Sequence, residues 1–189
     1  MKKLGSQLIL GILVTTLSIF ATLANYVGTS YGGKSGGHTA TARQYLADAN
    51  REEGLSMQLV ILDASTYDNF YTYNGRDDEL ADYYYENFSD ALLASVERGM
   101  LFDDEYYDEM YARADELLIE ADAEFKSAAY FSALANELRF VTLVSAIGLS
   151  FAAYASLLEE GNRLRSIFAL LATLALGLIA LQFLFTLLF

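Results

Sequence analysis

DDEYYDEMYARADELLIEADAEFKSAAYFSALANELRFVTLVSAIGLSFAAYASLL, residues 103–158, opens on three acids and closes on 19 uncharged residues, with no proline between. Asp103, Asp104 and Glu105 sit where a helix start favours negative charge, beside the positive end of its dipole. Apolar or small residues then recur at Tyr107, Met110, Ala114, Leu117, Ala121, Ala128, Phe131, Ala135 and Leu138. This is a seven-residue pattern broken only at Glu124. The spacing predicts one helix of about 55 residues that leaves water and enters a membrane without interruption.

Two more uncharged runs flank it, residues 7–25 and 166–189. Each of the three runs is near the roughly 20 residues a helix needs to cross the hydrocarbon layer. The first follows Lys2-Lys3 and ends in Thr22-Leu23-Ala24, a possible cleavage site. Its apolar core is longer than that of a typical secretory signal, so an uncleaved anchor is expected. Three crossings put Lys2, Lys3, Arg163 and Arg165 on one side, which the positive-inside bias assigns to the cytoplasm. Residues 26–138 hold 23 acids and seven bases, a balance of −16, and are expected to be extracytoplasmic. With no cysteine in the chain, no disulfide can stabilise them.

The chain has no proline, so glycine supplies the punctuation. The sequence predicts an anchor over 1–27, a flexible Gly-rich link over 28–37, an acidic helical domain over 38–138 and a span pair over 139–189 with a short cytoplasmic loop, 159–165. Within the acidic domain a helix over 38–74 carries Tyr45, Met57, Val60, Ala64, Tyr67 and Tyr71 at three- and four-residue steps, with a possible bend at Gly54 and a left-handed cap at Gly75. A second helix runs from Asp77-Asp78-Glu79 to Arg98-Gly99. Sharp reversals at both Gly75 and Gly99 would aim the last helix away from the membrane, so either one joint bends without reversing or the glycine-rich link folds the first helix back. The expected class is an all-α membrane protein: three transmembrane helices and an extracytoplasmic long-helix bundle or coiled-coil hairpin.

Small residues four apart, Gly148/Ala152/Ser156 and Ala169/Thr173/Gly177, mark candidate packing faces on the last two spans. No acid, base or histidine lies inside a span, which argues against a proton path or a charge-lined channel. His38 is the sole histidine, which removes the usual zinc, di-iron and triad arrangements. The clusters Asp77-Asp78-Glu79 and Asp103-Asp104-Glu105 with Asp108-Glu109 offer oxygen ligands for a divalent cation, although helix starts explain both more simply. Gly32-Gly33-Lys34-Ser35 lacks the first glycine and buried strand of a phosphate loop. Asn87-Phe88-Ser89 matches a glycosylation acceptor. Strong negative charge disfavours nucleic acid. The acid excess, with eight arginines and four lysines, resembles proteins from salty surroundings and suggests a prokaryotic, archaeal or halophilic source.

Ala64-Ser65 followed by Asn69-Phe70-Tyr71-Thr72-Tyr73-Asn74, together with Arg163 and Arg165 between the last spans, resembles a family of small bacterial and archaeal three-span membrane proteins catalogued as a domain of unknown function. In that family tryptophan is usual where Phe70 stands, and here two extra residues follow Ser65. The resemblance implies an all-helical membrane protein and brings no activity, cofactor or catalytic residue. Six tyrosines, Tyr83, Tyr84, Tyr85, Tyr106, Tyr107 and Tyr111, are the candidate interaction residues. Consecutive helical residues turn by about 100°, so Tyr83 to Tyr85 cannot face one partner. The expected function is a non-enzymatic structural or accessory membrane protein that self-associates or docks onto an envelope complex, with lipid as its solvent. The alternative is a cation- or ligand-sensing module without its own output domain.

Overall fold

The computed structural model describes residues 6–188, and no strand occurs among them. Lys2 and Lys3, counted in the charge bias above, and the last residue of the third run, Phe189, lie outside the described residues. The described residues form five helices: α1 (Gln7–Tyr73), α2 (Asp78–Glu86), α3 (Asp90–Glu97), α4 (Asp104–Leu157) and α5 (Arg163–Leu188). Three of them, α1, α4 and α5, are long and apolar enough to cross a membrane. Two compact units divide the chain: an acidic one, Thr39–Phe125, and an apolar one formed by the residues on either side of it. Residues 126–138 therefore pack with the apolar unit.

The stretch 28–37, expected as a flexible link, is helical and lies inside α1. Glycine in a helix interior costs about 1 kcal/mol against alanine, yet extending a helix already formed on both sides needs no new nucleus. Packing supplies the rest. Tyr31 stacks on Phe131 at 6.0 Å, His38 lies nearly parallel to the same ring at 5.4 Å, and Ser35 Oγ donates to the Ala128 carbonyl at 2.9 Å. Gly54 does not break α1 either.

In the apolar unit α1, α4 and α5 share two cores. One joins Leu10 and Leu13 to Ala152, Ala155, Ala169 and Ala172, and the other joins Leu17 and Ala24 to Leu138, Val141 and Ile179. Arg165 is buried; its guanidinium donates to the Leu158 carbonyl at 2.7 Å and to Gln7 Oε1 at 3.0 Å. The start of α1 and the α4–α5 turn thus lie at the same end of the unit.

In the acidic unit α1 buries every seventh residue, Ala42, Ala49, Ser56 and Asp63, while α4 buries Tyr106, Ala114, Leu117 and Ala121. Small seam residues let the backbones approach, and Ser56 Oγ reaches the Met110 carbonyl at 2.5 Å. Two residues expected on the α1 inner face, Met57 and Tyr71, point outward instead. Polar Ser56 and Asp63 hold the seam in their place.

The helix expected from 77 to 98 is two helices. Asn87-Phe88-Ser89 interrupts it, because Ser89 turns extended (φ −65°, ψ 157°) and caps α3, accepting from the Leu92 N–H at 3.1 Å. This additional turn relieves the conflict between reversals at Gly75 and Gly99, both of which adopt positive φ, 76° and 77°. Those left-handed conformations end α1 and α3, and the Met100 N–H closes back on the Ser95 carbonyl at 3.3 Å.

Candidate functional site

The acidic unit gathers its aromatic residues where α1, α2, α3 and the start of α4 meet. Phe88, Ala91, Leu92 and Tyr106 are buried there, with Val60, Tyr67, Phe70, Phe102 and Met110 packed around them. Phe102 sits at φ 54°, an unusual backbone for a bulky residue, and its ring meets Tyr106 edge-on at 5.0 Å.

A carboxylate lies at the centre of this cluster. Asp63 is only 4% exposed. Its Oδ2 accepts from the Ser89 hydroxyl at 2.6 Å and from the Tyr106 hydroxyl at 2.8 Å, and its Oδ1 from the Ser89 N–H at 3.4 Å. Three helices are tied at one side chain: α1 through Asp63, α3 through its cap Ser89, and α4 through Tyr106. Burial and the Asp63 acceptor push the Tyr106 hydroxyl well above the usual tyrosine range, so it stays a neutral donor. Each polar side-chain atom of this group makes at least one hydrogen bond within it, which makes the cluster a clasp between the three helices.

Beside the clasp, Arg98 forms a two-pronged pair with Asp103 across the turn at Gly99, Nε to Oδ2 at 2.6 Å and Nη2 to Oδ1 at 2.7 Å. Asp103 Oδ1 also accepts from the Tyr106 N–H at 2.9 Å, capping α4. The Arg98 hydrogen bonds hold the Asp103 carboxyl down at about 2. Asp77 caps α2 in the same manner through the Leu80 N–H at 3.2 Å. The two acidic clusters thus serve as helix starts; among the described residues no three acids or histidines converge as a metal site would require.

The six candidate tyrosines do not form one surface. Tyr106 is 0% exposed and belongs to the core, so the sequence reading that placed it on an interaction surface is corrected, and that which placed Tyr107 in the seam is corrected with it. The two are adjacent, and the register set by Asp63 decides which turns inward. Tyr84 stacks on Tyr73 at 5.9 Å, and Tyr85 packs against Phe70 at 5.7 Å and Phe88 at 5.3 Å. Tyr83 is left in water, Tyr107 is partly exposed and Tyr111 half-buried.

Of the candidate membrane-packing residues, Gly148, Ala152 and Ala169 are buried between helices. A Cβ on Gly148 would stand 3.0 Å from Ala175 Cβ and 3.1 Å from Leu17 Cδ2, so a larger residue does not fit. Ser156 is exposed and bonds its own helix, Thr173 bonds the Ala169 carbonyl, and Gly177 has nothing within 4 Å of its Cβ position. The rows therefore run differently from a strict four-residue spacing: Ala152 with Ala155 on α4, and Ala169 with Ala172 on α5.

Sequence reasoning missed Asp63, although an acid between Val60 and Tyr67 on an apolar face was a readable signal. It also missed the apolar residues α1 leaves in water. Leu55, Met57, Leu59, Ile61 and Leu62 are 46–60% exposed. At about 100° per residue, Leu55, Leu59 and Leu62 fall on one flank of the Ser56–Asp63 seam, and Met57 and Ile61 on the other. Neither a family model, nor a curated protein, nor a solved structure matches this chain.

Proposed function

We propose that this protein is a non-enzymatic structural or accessory membrane protein whose acidic helical unit stands outside the cytoplasm and binds a second copy or a larger envelope complex. The observation that carries this reading is the pair of exposed apolar rows on α1, Leu55/Leu59/Leu62 and Met57/Ile61, within the most acidic part of the chain. Rows of large apolar side chains left exposed within a charged surface are characteristic of a protein–protein contact. A clasp that fixes α1 against α3 and α4 gives such a surface a rigid backing. The net charge of −13 opposes self-association at low salt, so the contact strengthens as salt screens it. The N-terminus and the α4–α5 turn face the cytoplasm, following the basic residues Arg163 and Arg165. The span order that resembles the three-span family fits this reading without adding an activity.

The chain contains no cysteine, so single introduced cysteines report contacts without background. Leu59→Cys and Ile61→Cys in native membranes are expected to cross-link to a second copy or to a discrete larger species with a short bis-maleimide, and Asp82→Cys on exposed α2 is not. Equal yields at all three positions would overturn the proposal.

A further inference from the structure

The groove between α1 and α4 in the apolar unit has a volume of about 470 Å³ and is lined by Asn25, Gly28, Gly32 and Gly33 of α1 and by Arg139 of α4. Its size falls in the range of roughly 300–1,000 Å³ common for small-molecule sites. Glycine creates it. At Gly28 the helices touch, since a Cβ there would lie 3.3 Å from Leu138 Cβ, while at Gly32 and Gly33 a Cβ would meet nothing within 4 Å. One turn past the close contact, the missing side chains leave an opening.

Arg139 supplies the charge. Nη1 donates to Asn136 Oδ1 at 3.1 Å, which uses one of five N–H donors. Among the described residues no carboxylate pairs with Arg139. The nearest acid in sequence, Glu137, points about 200° away around the helix and accepts from the Thr186 hydroxyl at 2.9 Å. The Asn25 amide adds neutral donors on the facing helix. The level of the groove is also defined: the uncharged run of α1 ends at Asn25, and that of α4 begins at Phe140, next to Arg139. In a bilayer those two residues fall where apolar tails give way to headgroups.

We propose that this groove binds the phosphate of an anionic phospholipid headgroup, held by the Arg139 guanidinium and the Asn25 amide against the open glycine face of α1. Guanidinium recognises phosphate oxygens with paired hydrogen bonds. The source is the lipid and not dissolved phosphate, because the groove lies at the level where a bilayer holds its headgroups at high local concentration. The proposal rests on insertion of the apolar unit in a bilayer and is independent of the docking surface on α1.

The test uses the full chain in detergent, with phosphatidylglycerol, phosphatidylcholine or inorganic phosphate added, read by native mass spectrometry and by thermal unfolding. One phosphatidylglycerol per chain is expected to be retained in preference to phosphatidylcholine and to raise the unfolding temperature. Arg139→Gln is expected to weaken retention roughly tenfold, as loss of a charged hydrogen-bonding partner does. Gly32→Leu, which fills the groove and leaves the charge, is expected to do the same with helicity unchanged. Arg139→Lys, with its charge kept and its fork lost, is expected to fall between. Retention unaffected by Arg139→Gln would overturn the site, and stabilisation by inorganic phosphate equal to that by the lipid would overturn the headgroup assignment. Release of the wild-type chain from vesicles by alkaline carbonate would remove membrane insertion itself, a result distinct from both.

Discussion

Tyr106→Phe removes a single oxygen from the interior of the acidic unit, and its cost can be worked from the geometry. The hydroxyl donates to Asp63 at 2.8 Å, and Asp63 is 4% exposed, so water does not replace the lost donor. A hydrogen bond to a charged group contributes about 1.5–3 kcal/mol. Because the same carboxylate oxygen holds the α3 cap through Ser89, the loss is expected to appear first as local opening of α3 (Asp90–Glu97). At about 1.4 kcal/mol per factor of ten, amide exchange in α3 should quicken by roughly ten- to a hundredfold, with amides near Ala152 in the apolar unit unchanged. Asp63→Ala should cost about as much or more, since it strands the buried Tyr106 hydroxyl and the half-buried Ser89 hydroxyl, and the double variant should cost less than the sum because the two share one interaction. Hydrogen exchange read by mass spectrometry on the full chain in detergent measures all of this. Exchange in α3 within a factor of two of the wild type in Tyr106→Phe would refute the clasp.

Gly148→Val should destabilise the apolar unit by about 1–3 kcal/mol, because its Cβ lands 3.0 Å from Ala175, whereas Gly177→Val should be close to neutral; thermal unfolding in detergent compares them. Gly75→Ala and Gly99→Ala should each cost about 1–2 kcal/mol from positive φ, while Gly54→Ala, inside α1 with free space around its Cβ, should stabilise by about 0.5–1 kcal/mol. Asp103 has an ordinary value of 3.8 and a folded value of about 2, so its contribution is complete above about pH 4 and is lost as pH falls through 2. Arg98→Gln should remove that part of the acid dependence, as followed by helicity against pH.

The apolar runs and the unbroken α4 were legible because composition and a seven-residue spacing are local signals that a long helix obeys. The continuity of α1 was not, since five glycines in ten residues look like a link and their helical state depends on Tyr31, Ser35 and His38 finding partners on α4. The break before α3 was written in Ser89 followed by Asp90, a capping pattern overshadowed by the run of tyrosines and acids around it. The distinction between Tyr106 and Tyr107 depends on a tertiary register anchored at Asp63, which no single segment displays. Exposure of Leu59 and Ile61 is likewise a tertiary fact: α1 carries more apolar faces than its partners in the chain can cover.

The central claim, that the exposed rows of α1 are covered by another protein, is tested most directly by the mass of the assembly. Light scattering of the purified chain in mild detergent or lipid nanodiscs, with detergent and lipid subtracted, should give a protein mass that is a multiple of 20.9 kDa or that of a stable complex. That mass should rise with salt and fall back toward one chain in Met57→Glu/Ile61→Glu. A strict 20.9 kDa monomer at every salt concentration, with no partner retained, would contradict the account.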